Sequence, residues 1–180
     1  MAASQDSRLF YELFADTARR DGFAIRSHAY FADLIETLAA NQLGELLVAY
    51  HGKVPLAGAV ISYYDGLASY LYGASASRDR ELMAPYLLHW TAMQHAKARN
   101  CHTYDLLTIA PFRSEQQTVN SKQSDGSSSF VPGHSHKYAG ITRFKQQFGG
   151  RPVHLLGSWD LPVRPFTYAA FRFAETWRRR

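Results

Sequence analysis

Residues 45–74 read ELLVAYHGKVPLAGAVISYYDGLASYLYGA, and this segment sets the architecture of the chain. It contains runs of β-branched, aromatic and aliphatic residues, which we predict to be three strands, at 45–51, 54–64 and 67–74. Gly52-Lys53 separates the first two runs, and Asp65-Gly66 separates the second pair. A two-residue Asp-Gly connection favours a type I′ turn, because both of its residues need positive φ. The sequence therefore predicts an antiparallel meander.

Helical patterns flank this meander on both sides. Upstream, apolar residues at helical spacing predict helices over 5–20 and 28–41. Downstream, Pro85 suits the first turn of a helix that runs to about Arg99, with Tyr86, Trp90 and Met93 as its buried stripe. The remaining predicted elements are a central strand at 102–109, a short helix around 138–148, a strand at 152–160 and a final helix at 165–178.

This order of elements predicts an α/β (α+β) fold, in which helices flank one mixed, mostly antiparallel sheet. It resembles the plan of the GNAT acyltransferase core, although a fold alone does not supply a function. The length of 180 residues suits one domain, which we expect to span 1–180. Residues 113–135 are rich in Ser, Gln, Gly and Asn, and we predict a polar, flexible insert there.

Composition limits the possible environments of the protein. The chain has 46% hydrophobic residues, a single cysteine and a formal charge of +5. The lone Cys101 fits a reducing cytoplasm, since it has no internal disulfide partner. We find no run of roughly 20 apolar residues and no signal-peptide pattern, so we expect neither a membrane span nor secretion. The basic balance favours polyanionic partners such as RNA, diphosphates or anionic lipid headgroups.

Several segments resemble the Fem family of peptidyl aminoacyltransferases. They occur in the family's order along nearly the whole chain, and this collinearity is more specific than any one motif. The matching segments are Arg20-Asp21-Gly22-Phe23, the stretch from Tyr70 to Ser75, the stretch from Met83 to Leu88, Tyr104-Asp105 with Ile109-Ala110-Pro111, the stretch from Gly140 to Gly150, and Trp159 to Pro165 with Tyr168.

The resemblance implies an activity and its partners. Members of the family transfer an amino acid from aminoacyl-tRNA to the stem peptide of a peptidoglycan precursor, either lipid II or UDP-MurNAc-peptide, and so build interpeptide bridges of the bacterial cell wall. They use no metal and no coenzyme A. They contain two GNAT-like domains, and this chain resembles the second. We therefore expect a cytoplasmic enzyme with at most peripheral membrane contact, which acts with a first-domain partner, acts as a homo-oligomer, or is inactive alone.

Lys145 is the first candidate for a catalytic role. Attack of an amine on an ester carbonyl places negative charge on the carbonyl oxygen, and a fixed cation beside that oxygen stabilises it. In the family, the lysine of the matching Phe-Lys pair is implicated in this role or in handling the end of the donor tRNA. The alternative is a solvated lysine on a short helix.

Further candidates are less specific. Asp105 interrupts an apolar strand, so we expect it to be buried, either as a hydrogen-bonding hub or as a general base. Tyr72 is a candidate catalytic residue, and it shares a predicted strand face with Tyr70; aromatic packing is the alternative for both. The other candidates for substrate binding are Gly73, Ser75, Tyr138, Arg143 and Phe144.

Other kinds of site are disfavoured. The loop before Pro85 lacks the glycines with which ordinary GNAT acetyltransferases hold the pyrophosphate of coenzyme A. His134 and His136 have no third ligand nearby in the sequence, so we predict no metal site. Two alternatives to aminoacyl transfer stay open: a non-catalytic half-enzyme that serves as a binding or assembly module, and a GNAT N-acyltransferase with another acyl donor.

Overall fold

The computed structural model describes residues 2–110, 139–153, 155 and 161–178. The chain divides into two compact units, Met1–Lys145 and Gln146–Arg180. The predicted insert at 113–135 lies outside the described residues, so that prediction and the extent of the predicted domain stay untested. No helix in the described ranges is long and apolar enough to cross a membrane.

The first unit is built on one mixed sheet. Its strands are β1 (Ala2–Ser4), β2 (Gly44–His51), β3 (Val54–Tyr64), β4 (Leu67–Ser75) and β5 (Thr103–Asp105), and they lie in that order across the sheet. The pairs from β1 to β4 are antiparallel, whereas β5 is parallel to β4. Asp65 and Gly66 both have positive φ, as the predicted turn requires. The meander is confirmed, and β1 is an additional strand that we did not predict.

Helices α1 (Ser7–Asp21) and α2 (His28–Ala40) cover one face of the sheet, close to their predicted positions. Asp6 begins α1 by accepting a hydrogen bond from the backbone N–H of Leu9, and Gly22 ends it in the left-handed conformation. The core on this face is rich in phenylalanine, and Gly58 on β3 leaves room for one of these rings: a Cβ there would lie 3.0 Å from Phe10.

Helix α3 (Ala84–Ala98) covers the opposite face, and its buried stripe differs from the predicted one. The predicted stripe included Trp90, which is 61% exposed. Alanine side chains let α3 pack closely on the sheet. The buried face of the helix therefore contains alanines, and not the tryptophan that was predicted there from its hydrophobicity. The buried residues of α3 are Leu88, His89, Ala92 and Ala96.

The predicted strand at 102–109 is much shorter in the structure. β5 ends at Asp105, whose carboxylate accepts a hydrogen bond from the backbone N–H of Leu107 at 2.7 Å. Leu107 has a φ of 58°, which is incompatible with extended backbone. Among the described residues β5 pairs only with β4. Its predicted central position stays a prediction, because most of the strand predicted at 152–160 lies outside the described residues.

Helix α4 (Ala139–Gln146) agrees with the short helix predicted around 138–148. In the second unit, α5 (Pro165–Arg178) agrees with the predicted final helix, and its large side chains Phe166, Phe173 and Trp177 are exposed. The strand predicted at 152–160 is absent from its described residues 152, 153 and 155, and the rest of it lies outside the described residues.

A polar cluster ties α3 to β2 and β3. The hydroxyl of Tyr63 donates to Oε1 of Glu45 at 2.6 Å, and the same oxygen lies 2.8 Å from Nδ1 of His95. Because Glu45 is largely buried, with 12% of its side chain exposed, it depends on these partners.

We expect Tyr63→Phe to lower the free energy of unfolding by about 2 kcal/mol, since it removes a hydrogen bond to a charged, largely buried acceptor. Urea denaturation measures this change. The neighbouring Tyr64, which is 75% exposed, provides the control Tyr64→Phe with an expected change below about 0.5 kcal/mol. Equal effects of the two substitutions would contradict the role of this cluster.

Candidate active site

The candidate site begins where β4 and β5 separate. Their parallel pairing ends at Ser69 and Asp105, yet β4 continues to Ser75. The backbone N–H of Ser75 donates to the hydroxyl of Thr17 and not to β3, whereas that of Ala76 donates to Leu56. Because backbone directions alternate along an antiparallel ladder, the N–H and C=O of Gly73 also point away from β3. The N–H and C=O of Gly73 therefore lie on the edge of β4 that no longer pairs with β5.

Lys145 lies at this separation and is buried, with a relative exposure of 7%. Its Nζ donates to the backbone carbonyl of Thr108 at 2.7 Å. One turn earlier in α4, the buried hydroxyl of Thr142 accepts a hydrogen bond from the backbone N–H of Ala110 at 2.8 Å. These two bonds attach α4 to the segment that follows β5. The alternative of a solvated lysine is therefore wrong.

Burial also changes the acid–base behaviour of Lys145. Desolvation lowers the pKa of its amine, because a charged ammonium is disfavoured away from water. The carboxylate of Asp105 acts in the opposite direction and favours the protonated form. The position thus combines a buried amine with a nearby carboxylate that helps to keep it charged.

His89 connects the surrounding elements. Its Nδ1 lies 3.0 Å from the hydroxyl of Tyr104 on β5, and its ring is 4.4 Å from that of Tyr70 on β4 and 5.4 Å from that of Phe144 on α4. Burial lowers the pKa of His89 to about 4, and the charge of Lys145 acts in the same direction. His89 is therefore neutral near pH 7, while burial raises the pKa of Tyr70 to about 12 and keeps its hydroxyl protonated.

Tyr70 and Tyr72 lie on opposite faces of the sheet, so the prediction that they share a face is wrong. The register of β3 with β4 shifts between Val60, which faces Tyr72, and Ile61, which faces Tyr70. This bulge inserts one extra residue and reverses the side-chain alternation. Tyr70 packs on the α3 side, whereas Tyr72 packs among the phenylalanines on the α1 and α2 side.

On that second face, the hydroxyl of Tyr72 is 3.0 Å from the hydroxyl of Tyr30 in α2. This hydrogen bond raises the pKa of Tyr72, and burial adds to the effect. The guanidinium of Arg26 lies over the ring of Tyr30 at 4.9 Å. Tyr72 is therefore brought together with Tyr30 and Arg26, and not with Lys145.

The end of β4 is attached to α1 through the backbone and side chain of Ser75. The carbonyl of Ser75 accepts hydrogen bonds from Thr17 and Arg20, and its hydroxyl accepts one from Arg20. A Cβ at Gly73 would lie 1.4 Å from the hydroxyl of Tyr70, so only glycine fits there. Ser75 thus holds β4 to α1, and Gly73 makes space for Tyr70.

The remaining predicted site residues are distributed as follows. Asp105 is exposed, so its predicted burial is wrong: it ends β5 and caps Leu107 instead of interrupting a longer strand. Arg143 is exposed and Phe144 is half-buried, while Tyr138 lies outside the described residues.

A cavity of about 230 Å³ lies beside Phe144, between the end of β4 and the start of α3. Lys145 is not among the described residues that line it. The lining residues are Leu56, Ser75, Ala76, Arg78, Asp79, Arg80, Met83, Ala84, Pro85, Tyr86 and Phe144.

Sequence reasoning missed His89, Thr108 and Thr142. His89 is a polar residue on the buried face of α3. A correct assignment of that face from the sequence would have identified it. Thr142 lies three residues before Lys145, on the same side of α4, which was also visible in the sequence. Thr108 acts through its backbone carbonyl, for which side-chain identity gives no signal. Over the described ranges, no three His, Cys, Asp or Glu side chains are grouped as metal ligands.

Acid should destabilise the protein through His89. Its folded pKa of about 4 lies below the unfolded value of 6.5, so the unfolded chain binds more protons between these limits. Stability therefore rises with pH across this window, and up to about 3 kcal/mol is lost as the pH falls from 6.5 to 4.

In His89→Gln we expect a weaker dependence of the unfolding free energy on pH over that interval, measured by urea denaturation at a series of pH values. The exposed His51 provides the control His51→Gln, which should keep the wild-type dependence. Identical pH profiles for wild type and His89→Gln would refute a buried neutral imidazole.

Comparisons with known proteins agree with this architecture. The chain is similar to the crystal structure of FemX, with a TM-score of 0.65 and 18% identity over 82% of this chain and 49% of FemX. It thus spans about half of the length of FemX. It is also similar to a transcriptional regulator from Bacillus halodurans, with a TM-score of 0.57 and 16% identity over 89% of this chain and 97% of that one.

A predicted acetyltransferase with acetyl-CoA from Clostridium acetobutylicum has a TM-score of 0.54 and 14% identity, over 88% of this chain and 93% of that one. These similarities confirm the predicted GNAT-like fold. No curated protein sequence matches the chain significantly. The sequence profile of the FemAB family, however, matches residues 39–176, which is well over half of the chain. This protein belongs to the FemAB family.

Proposed function

We propose that this chain is an aminoacyltransferase domain, which transfers an amino acid from aminoacyl-tRNA to the stem peptide of a peptidoglycan precursor during interpeptide bridge formation. The observation that supports the proposal most strongly is the buried amine of Lys145, held where β4 and β5 separate. Membership of the FemAB family supports the class of donor and acceptor. The acceptor is UDP-MurNAc-peptide or lipid II.

The proposed reaction is an aminolysis. The acceptor amine attacks the ester carbonyl, a C–N bond forms, and the C–O bond to the tRNA ribose breaks. The amine loses a proton and the ribose oxygen gains one. An ammonium has three N–H donors, and the hydrogen bond to Thr108 uses one of them. The same group can therefore hold its position and donate to the carbonyl oxygen as negative charge develops on it.

Asp105 supports this role through its charge. Burial alone would favour a neutral amine at Lys145, which is a weaker partner for an oxyanion. The carboxylate of Asp105 favours the ammonium form and offsets part of that effect. We therefore assign Asp105 to positioning and electrostatics in place of general-base catalysis.

The partners follow from the same proposal. The chain spans about half of FemX. The proposal therefore includes a second domain at the muropeptide site, with a first-domain partner or a second copy of this chain as the candidates. We expect the reaction in the cytoplasm, with peripheral membrane contact where the acceptor is lipid-linked.

We expect Lys145→Met to lower the transfer rate by about 10²-fold or more, because it removes the oxyanion donor and keeps the length of the side chain. The assay uses charged tRNA and UDP-MurNAc-peptide, with a first-domain partner supplied. Absence of product from the wild-type protein under these conditions would contradict the proposed function and favour a non-catalytic assembly module.

The control must separate catalysis from attachment, because Lys145 also fixes α4. Thr142→Val breaks the neighbouring attachment to Ala110 without changing any charge. We expect it to lower the stability but to retain most of the transfer activity. Equal losses of activity in Lys145→Met and Thr142→Val would assign Lys145 to attachment alone.

A further inference from the structure

We propose that Thr17 and Arg20 of α1 are positioning residues for the transfer reaction, because they fix the end of β4 and keep its edge open at Gly73. This inference rests on the proposed function. It gives a role to the segment Arg20-Asp21-Gly22-Phe23, which the proposed reaction does not use. All of the residues that support it belong to the first unit.

Helix α1 takes the place of a neighbouring strand at the end of β4. After its pairing with β5 ends, β4 has no strand partner on that side among the described residues. The N–H of Ser75 donates to the hydroxyl of Thr17 at 2.9 Å, and its C=O accepts from Nη1 of Arg20 at 3.0 Å. Two residues later, the N–H of Ser77 donates to Oδ2 of Asp16 at 3.0 Å. Backbone groups at the edge of a strand need partners, and α1 supplies them at alternate residues.

The sequence of α1 places these partners on one face of the helix. Asp16, Thr17 and Arg20 occupy positions i, i+1 and i+4, which lie within a sector of about 100°. Gly22 then ends the helix in the left-handed conformation, and the ring of Phe23 packs on the aromatic core. The helix therefore ends directly after its last contact with the strand.

The hydrogen bonds of Arg20 indicate positioning and not substrate binding. Its Nε and Nη2 donate to the two carboxylate oxygens of Asp21, at 2.9 and 3.3 Å. Its Nη1 and Nη2 donate to the carbonyl and the hydroxyl of Ser75, at 3.0 and 3.2 Å. These bonds use four of the five N–H groups of a guanidinium, and the carboxylate of Asp21 balances its charge. Arg20 therefore fixes Ser75 and has little capacity left for an anionic substrate.

This attachment fixes one side of the opening between β4 and the segment that follows β5. On the other side, Lys145 holds the carbonyl of Thr108. With Ser75 held by α1, the edge of β4 at Gly73 cannot move toward that segment and close the opening. A displacement of about 1 Å, even one caused far from the reacting atoms, can lower a rate by roughly 10²-fold. We therefore expect loss of the attachment to lower kcat.

The test measures kcat and KM for transfer at a temperature where circular dichroism shows each variant to be folded. Thr17→Val removes the hydroxyl that accepts from Ser75, and Arg20→Gln removes the guanidinium. In each we expect kcat to fall by roughly tenfold while KM changes by less than about twofold, since neither residue binds substrate. Thr17→Ser keeps the hydroxyl and should retain most of the rate. The control Arg8→Gln, on the exposed side of α1, should leave both quantities unchanged.

Hydrogen exchange tests the attachment without transfer. In the wild type we expect slow exchange of the amide of Ser75 and fast exchange of that of Gly73, and Thr17→Val should accelerate exchange at Ser75. Slow exchange at Gly73 would contradict an open edge.

The inference is overturned if kcat is unchanged in Thr17→Val and Arg20→Gln, if Thr17→Ser loses as much rate as Thr17→Val, or if KM rises in place of a fall in kcat. The two proposals fail separately. Wild-type transfer with unchanged kcat in these variants removes only the positioning role. No transfer by the wild type, with the expected exchange pattern, removes the proposed reaction and leaves the attachment of β4 to α1.

Discussion

The separation of β4 from β5 is the constraint on which the candidate site depends. Asp105 caps the backbone at Leu107, whose positive φ turns the chain out of the sheet after only three residues of β5. Backbone groups beyond that point need other partners. Lys145 and Thr142 supply two of them, at Thr108 and Ala110. The position of the buried amine is thus a consequence of where β5 ends.

The β-bulge in β4 adds a second constraint, because it divides the aromatic residues between two environments. On one face, Tyr70 contacts His89 in a polar network with Tyr104. On the other face, Tyr72 meets Tyr30 above a cluster of phenylalanines. A substrate at the open side of β4 would therefore meet different chemistry from each face.

The sequence predicts the parts of the fold that depend on local patterns. The Asp65-Gly66 turn, the runs of β-forming residues and the apolar residues at helical spacing place the meander and its flanking helices correctly. Features that depend on tertiary packing were missed or wrong. Side chains stop alternating between the two faces of β4 at the bulge. The buried face of α3 differs from the predicted one because alanines pack closely on the sheet. Lys145 was identified through the family resemblance, while its burial comes from contacts with Thr108, which no sequence pattern shows.

An NMR titration of Lys145 tests the central claim most directly. The chain has five lysines, at 53, 97, 122, 137 and 145, so the side-chain Cε signals of a selectively labelled sample are few and can be assigned with Lys145→Met. A buried amine bonded to Thr108 beside Asp105 predicts that Lys145 titrates below the usual pKa range of a lysine side chain. Titration of Lys145 in the usual range of a lysine side chain would contradict the account, since it would place the amine in water and leave the open side of β4 without its cation.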